Sequence, residues 1–469
     1  MARIVVIGAG MAGLSVAMML ADDGHRVTAL ERDPQPPPDP GQAWESWTRR
    51  GVNQFRLPHF LMARFRQVAE AELPGLVDDL KAAGALPVNS IARMPDDVTG
   101  GPRPGDDRFE LVTARRPVVE AVVAARAAAT DGLTVHRGCA VAALQVGEGP
   151  GPAGRPVHVT GVVTAAGETI PADLVIDCSG RRTAVPALLR AVGSPGPQEE
   201  IHDSGFVYYG RHFRSGDGSL PRSMGPGLQS QGSVSTLTLP GDGGTWAVVV
   251  VASGRDGALR ALRRLDVWEQ VVRAMPRVAH WLDGEAIDDV TTIAGIEDAR
   301  RHYVPDGQPV ATGIVPLADA WSCTNPSLGR GVSLGLTHAG ALRSLLRQGA
   351  LDEPAELPRR WAEATAATTG PYVDETLRLD GHRLAEIEAT IEGRPYEVDD
   401  PIWNGYNALQ AGASQSPDLL RASLDVTMLF RTVADVLADP DLGPAVAALD
   451  GPGPADGPDR AELLSIVGA

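Results

Sequence analysis

The chain has 469 residues, 43% of them apolar and 22% charged, and its 59 acidic against 42 basic side chains give a formal charge of −17. That balance excludes nucleic acid and anionic lipid as main partners, and the composition excludes disorder and collagen-like repetition. The length suffices for a large core divided into two or three domains.

The uncharged run 4–20 has the look of a signal peptide or membrane anchor, but its glycines break it into smaller elements. Residues 4–7 read as a short buried strand, Gly8-Ala9-Gly10-Met11-Ala12-Gly13 as a turn, 14–21 as a small-residue helix ended by Gly24, and 26–31 as a second strand. This is a βαβ start carrying GxGxxG, with an acid closing the second strand. Gly8 permits the tight turn, Gly10 lets a pyrophosphate approach the backbone, and Gly13 lets helix and strand pack closely. The helix start, with Met11 and Ala12, offers N–H groups and a positive dipole to phosphates. Glu31 is expected to accept from the adenosine ribose hydroxyls, with Arg32 beside the adenine. A glycine-rich turn without ligand is the alternative, and the combined spacing of strand, helix, strand and acid argues against it. The motif alone does not separate NAD from FAD.

Further along, the Pro- and Gly-rich stretch 95–105 reads as a mobile hairpin or loop. Residues 172–177 form a buried parallel strand ending in the polar turn Cys178-Ser179-Gly180. Residues 204–214 read as a strand, and 233–239 with 245–251 as an antiparallel hairpin across the turn 240–244. Two short helices near 256–264 and 266–275 follow, then strand-like residues 291–303. A second buried segment, 309–319, ends at Asp319, and the turn through Pro326, Gly329, Gly331 and Val332 opens a helix reaching about residue 346. Beyond residue 371 the pattern is helical, at 372–392, 417–437 and 459–467, with a Gly/Pro linker at 451–458. This tail is expected to cap the nucleotide domain or to form a dimer surface, and the oligomeric state is left open.

Alternation along 204–214 puts Phe206, Tyr208, Gly210 and His212 on one face and Val207, Tyr209, Arg211 and Phe213 on the other. One face is expected to meet substrate, and alternation does not say which. Tyr209 and Trp246 are candidates for substrate contact. No catalytic residue is assigned; the candidates are Tyr208, Arg211, His212 and His59.

Three marks in order, GxGxxG, the Ser179-Gly180 segment and Ala318-Asp319 with Pro326 and the Gly329-Arg330-Gly331 helix start, resemble the class A flavoprotein monooxygenases. That group is built on the para-hydroxybenzoate hydroxylase fold. The resemblance covers roughly residues 1–360 and is nearest to flavin epoxidases and hydroxylases of polyketide and polyether type. Two marks depart from the family pattern, since Ser179-Gly180 stands where Asp-Gly is usual and Ala318-Asp319 where Gly-Asp is usual. The resemblance implies an α/β fold: a glutathione-reductase-like FAD domain (1–190 and 304–365), an inserted mixed β-sheet substrate domain (191–303, with 85–110 contributing), and a helical C-terminal region (366–469). It implies FAD as cofactor, Asp319 on a ribityl hydroxyl, Arg50, Gln54 and His59 in the loop at the ribityl chain and flavin edge, Arg116 at the cofactor, and Val141 beside the adenine. The helix start at Gly331 would stabilise negative charge on the reduced ring.

The reaction so implied is reduction of FAD by NAD(P)H, bound transiently, or by a separate reductase. O2 then forms a C(4a)-hydroperoxide that transfers one oxygen atom to an alkene or aromatic ring of a small hydrophobic substrate. An FAD-dependent dehydrogenase or ene-reductase is the principal alternative. A halogenase would need a lysine, and Lys81, the only one, reads as a solvated helix position. A non-catalytic FAD sensor is the remaining alternative. Three scattered cysteines and the absence of ligand-spaced histidines imply neither a disulfide framework nor a metal site, and the expected compartment is the cytoplasm, with no membrane span.

Overall fold

The computed structural model describes residues 1–49, 51–52, 54–92, 94–147, 156–449 and 457–469. Its centre is the strand Arg3–Ile7, whose apolar residues are buried on both faces as an inner parallel strand requires. It lies third in a five-stranded parallel sheet ordered Ile314–Pro316, Leu174–Asp177, Arg3–Ile7, Arg26–Glu31, Leu133–Arg137. Alternation assigns its two sides. Ile4 and Val6 pack beneath the helices Met11–Asp22, Arg116–Ala128 and Gly331–Arg347, whereas Val5 and Ile7 pack on the antiparallel pair Val141–Val146 and Val157–Thr164. The result is helices, parallel sheet and antiparallel sheet in three layers, with every parallel strand ending toward the same edge.

A second sheet is inserted between Leu174–Asp177 and Ile314–Pro316. It runs Leu228–Gln231, Val234–Pro240, Thr245–Ser253, Phe206–Arg214, Glu285–Ala286, with Thr291–Ile293 also on Phe206–Arg214, and every pairing is antiparallel. Thr245–Ser253 is buried throughout because both faces are covered. On one side lies the helix Leu265–Arg273, centred on the fully buried Trp268, together with Leu463 of the last helix, Arg460–Val467. On the other lie the cavity described below and Ile387 of the helix Gly370–Ile391. A small sheet of Gln198–Asp203, Glu297–His302 and Ser322–Cys323 joins the two parts.

Residues 95–105 take the loop alternative, lying in the connection between two antiparallel strands. They hold one helical turn, Asp96–Thr99, flanked by the paired strands Leu86–Asn89 and Glu110–Thr113. Arg421, from the helix Pro417–Thr427, fastens this turn by donating to the Thr99 carbonyl at 2.7 Å and the Gly101 carbonyl at 3.0 Å, and it pairs with Asp106 at 2.7 Å. Local composition carried no sign of that clamp, whose halves lie over 300 residues apart. Among the described residues, no helix is long and apolar enough to cross a membrane.

Candidate functional site

The strand ends and the inserted sheet enclose a cavity of about 1720 Å³. This exceeds the usual 300–1,000 Å³ of a small-molecule pocket and leaves room for a dinucleotide and a second molecule. Two glycines at its base are required by geometry. Gly8 has φ +101°, and a Cβ there would stand 2.5 Å from the Cys178 carbonyl oxygen; a Cβ on Gly13 would stand 2.0 Å from the Gly8 carbonyl. At Gly10 the nearest atom to such a Cβ is 3.9 Å away, on Arg49, so the backbone is open toward the cavity.

Two helices present their N-termini to this space, Met11–Asp22 behind Gly10 and Gly331–Arg347 behind Arg330, and neither carries a side-chain cap. Each leaves N–H groups and a positive dipole end available to an anionic ligand. Asp319 lines the cavity between them, and among the described residues no hydrogen bond engages its carboxylate. Burial raises its pKa, while Arg116, Arg181 and Arg301 oppose that rise.

Asp319 follows Ala318, a non-glycine residue at φ +52°. That conformation costs an alanine about 1 kcal/mol. The Ala318 N–H donates to His338 Nδ1 at 3.1 Å, and His338 is locked by stacking on Trp361 at 4.4 Å and by Thr365 at 2.9 Å. Burial lowers the His338 pKa to about 3, so the ring stays neutral and Nδ1 remains an acceptor. Arg301 ties the two halves of the site, donating to the Arg181 carbonyl at 2.9 Å and the Ala320 carbonyl at 3.2 Å. Asp177, closing its strand, accepts from Ser179 Oγ at 2.5 Å and Thr183 Oγ1 at 2.6 Å and so shapes the Gly180 turn, where φ is +83°.

An ion-pair chain runs along the floor. Arg49 donates to Glu31 and to Glu120, each at 2.6 Å; Arg116 donates to Glu120 at 2.6 Å; and Arg116 meets His59 Nε2 at 2.9 Å. Burial pushes the Glu120 carboxyl up, but Arg116 and Arg49 together outweigh it and hold it below its ordinary value. Burial and the Arg116 charge lower the His59 pKa to about 3, which makes it a neutral acceptor that donates from Nδ1 to the Leu57 carbonyl at 2.9 Å. Glu31 also accepts from the Ala9 and Asp33 N–H groups at 3.1 and 3.0 Å. Sequence reasoning missed Arg49, Glu120, Arg301 and His338. Only Glu120 had a local signal, its i,i+4 spacing from Arg116.

The cavity wall brings together Gly8, Gly10, Met11, Ala12, Gly13, Glu31, Arg32, Gln54, His59, Arg116, Val141, Gly180, Tyr208, Asp319, Pro326, Gly329, Gly331 and Val332. Arg50 lies outside the described residues. Four candidates need correcting, Tyr209, Trp246 and Arg211 because the helix Leu265–Arg273 covers their face of the sheet, and His212, on the Tyr208 face, because Asp288 and Trp44 hold it away from the main cavity. Tyr209 and Trp246 pack in the core beneath that helix, with Trp246 Nε1 donating to the Trp281 carbonyl at 2.8 Å. Arg211 pairs with Glu269 at 2.8 Å, and His212 pairs with Asp288 at 2.7 Å beside a separate, water-sized void; neither lines the main cavity. Tyr208 is on the cavity face. Lys81 is exposed and absent from the wall. Among the described lining residues, the only acidic side chains are Glu31 and Asp319, against arginines at 32, 49, 116, 181, 182, 222, 277 and 330. In a chain of charge −17, this basic lining suits an anionic dinucleotide.

Open glycine backbone at Gly10, two uncapped helix ends and an unengaged Asp319 fit FAD. The fold and this site are those of an FAD-dependent oxidoreductase. Residues 3–93 match the model of the DAO family, described as FAD dependent oxidoreductase. A curated relative, protein Rv3254 of Mycobacterium tuberculosis, is 28% identical over 391 residues, covering 78% of this chain and 77% of its own. The structure of pqsL, a probable FAD-dependent monooxygenase from Pseudomonas aeruginosa, superposes with TM-score 0.59 at 16% identity, over 82% of this chain and 99% of that one. OxyS anhydrotetracycline hydroxylase from Streptomyces rimosus gives 0.54 at 19% identity, over 91% and 76%. At these identities the two structures establish the fold alone. Among the described residues, no group of three or more His, Cys, Asp or Glu is placed to hold a metal ion.

Proposed function

We propose that the protein is an FAD-dependent monooxygenase that places one atom of O2 on an alkene or aromatic ring of a small hydrophobic substrate, using NAD(P)H or a separate reductase as electron source. Bound FAD would supply two-electron chemistry and activation of O2. The chain's own residues bind, orient and exclude water. Gly10–Gly13 and the first helix end hold the pyrophosphate, and Asp319, kept in place by the His338–Ala318 hydrogen bond, orients the ribityl chain. The helix start at Gly331 favours negative charge at the ring.

The observation that carries the reading is the continuity of the cavity beyond the Pro326–Gly331 turn. Leu237, Val249 and Ile293 of the sheet, Tyr406, Leu420 and Leu424 of the C-terminal helices and Met428 just beyond them line the cavity there, interspersed with polar side chains such as Gln229, Thr238, Gln410 and Ser423. A largely apolar wall with a few polar groups beyond the turn suits a mostly apolar substrate and limits the access of bulk water to a reactive centre. The similarity to hydroxylase and monooxygenase structures supports the same reading.

The test is turnover of the flavin-loaded protein with NAD(P)H, or with a flavin reductase, in isotopically labelled O2 and a panel of apolar alkenes and arenes. One labelled oxygen atom in the product is the expected result. Substrate-dependent flavin turnover that proceeds equally well without O2 would replace this reading by a dehydrogenase or ene-reductase.

A further inference from the structure

Beside the Pro326–Leu328 turn lies a buried polar cluster that the proposed function does not use. Ser327 lines the cavity, and its Oγ donates to Asp380 Oδ1, on the helix Gly370–Ile391. Tyr208 Oη donates to Asn325 Oδ1 at 2.6 Å, and the Asn325 N–H donates to Asp298 Oδ1 at 2.6 Å. Asn325 is 2% exposed and Asp380 5%. Asn325 Nδ2 and Asp380 Oδ2 are both buried and make no hydrogen bond within 3.5 Å among the described residues, yet the Asn325 side chain is close enough to Asp380 to favour its ionised form. A carboxyl so placed can either ionise and accept, or take a proton and donate, and only in the second state does it need no further donor.

We propose that Asp380 and Ser327 form a proton-exchange pair serving the ring end of the cavity, an inference that rests on the flavin reading above. With Asp380 protonated, its carboxyl donates to Ser327 Oγ, and the serine hydroxyl hydrogen turns toward the cavity. When that hydrogen leaves to an acceptor in the cavity, the Asp380 proton moves onto Ser327 Oγ. Asp380 is then a carboxylate that accepts from Ser327 and faces the Asn325 amide, which favours its charge. One proton crosses, no electrons move, and the reverse sequence restores the starting state. Asp380 is thus a positioning residue acting through Ser327.

The groups facing this carboxyl come from several elements. Arg330, itself paired with Glu375, approaches from the helix start; Asp298 comes from Glu297–His302; and Tyr208 comes from Phe206–Arg214. Tyr406, beside Arg383, comes from Pro401–Gly412. Burial pushes the Asp380 carboxyl up and Ser327 pulls it down; Asp298 adds to the rise, while Asn325 and Arg330 oppose it. The balance lies at about 7, so both states are populated at neutral pH.

Asp380→Asn and Ser327→Ala in the full FAD-loaded chain test the pair by two measurements. Infrared difference spectra between pH 6 and 8 should show a protonated-carboxyl band that titrates in the parent protein and in S327A but is missing from D380N. The flavin midpoint potential of the parent protein should change its slope with pH by one proton near neutrality, and both substitutions should abolish that break. Should D380N not fold, D380E and S327A carry the test, D380E keeping a titrating band. No titrating band in the flavin-loaded parent protein, or a break that survives in S327A, overturns the proton-exchange pair alone. Protein that titrates but never binds flavin overturns the flavin reading and, with it, the pair.

Discussion

The two ends of the cavity are held by different forces. The nucleotide end is specified by charge and backbone, through the chain Glu31, Arg49, Glu120, Arg116 and the contacts of Gly8 and Gly13. The far end is specified by shape, being apolar side chains of an antiparallel sheet facing a helical wall. The same contrast recurs in the turns at Gly8–Gly13 and Ala318–Asp319. At the first, a side chain is sterically impossible; at the second, alanine occupies a left-handed position because His338 holds the backbone from outside. A tight turn therefore demands glycine where its own backbone fills the space, and tolerates a Cβ where a neighbour supplies the restraint.

The sharpest break of this comparison is Gly13→Ala. Its Cβ would overlap the Gly8 carbonyl, so flavin content per protein, read from absorbance, should fall at least tenfold on the order expected for displaced binding backbone, with a clear loss of thermal stability. Arg49→Met comes next, since it removes one ion pair from each of two buried carboxylates, Glu120 keeping Arg116 and Glu31 its backbone donors; chemical denaturation should show a loss of about 3 kcal/mol, the low end for a broken buried pair. The pH dependence follows from Glu120. Its folded pKa lies below its ordinary value of about 4.5, so its contribution is fully present above about that pH and is lost as pH falls through the lower folded value. In Arg49→Met the folded pKa rises, and this acid-side loss should begin at higher pH.

Asp319→Ala should leave the fold intact and weaken FAD retention on gel filtration by about tenfold, the worth of one charge-assisted hydrogen bond. Full retention would remove Asp319 from its assigned role. The smallest effect is Ala318→Gly, which relieves the left-handed strain but adds chain entropy, for a net gain of at most about 1 kcal/mol in a denaturation measurement. A loss there would show that the His338 restraint, rather than the backbone angle, sets the stability of that turn.

Much of the nucleotide end was legible because its demands are local. Strand 26–31 and the helix after Gly331 fall where their patterns place them, at Arg26–Glu31 and Gly331–Arg347. Glycine, acid and helix start follow one another within a short stretch, and each has a steric or electrostatic reason visible in the residue type. The substrate side was less legible. Both faces of Phe206–Arg214 are apolar, with Tyr208 on one and Tyr209 on the other, so alternation separated the faces without ranking them.

By itself, then, the amino-acid order determined the βαβ start and the hairpin 233–251, which depend on period and on backbone angles available to neighbouring residues, while the order of the later segments and the place of the inserted sheet came through the family resemblance. Only the tertiary structure decided that Leu265–Arg273 covers Tyr209 and leaves Tyr208 to the cavity, that Arg49 reaches Glu120 71 residues away, and that Asp380 lies against Ser327 53 residues before it. Those contacts join distant segments through side chains, and their energies depend on burial and distance, which no local pattern carries.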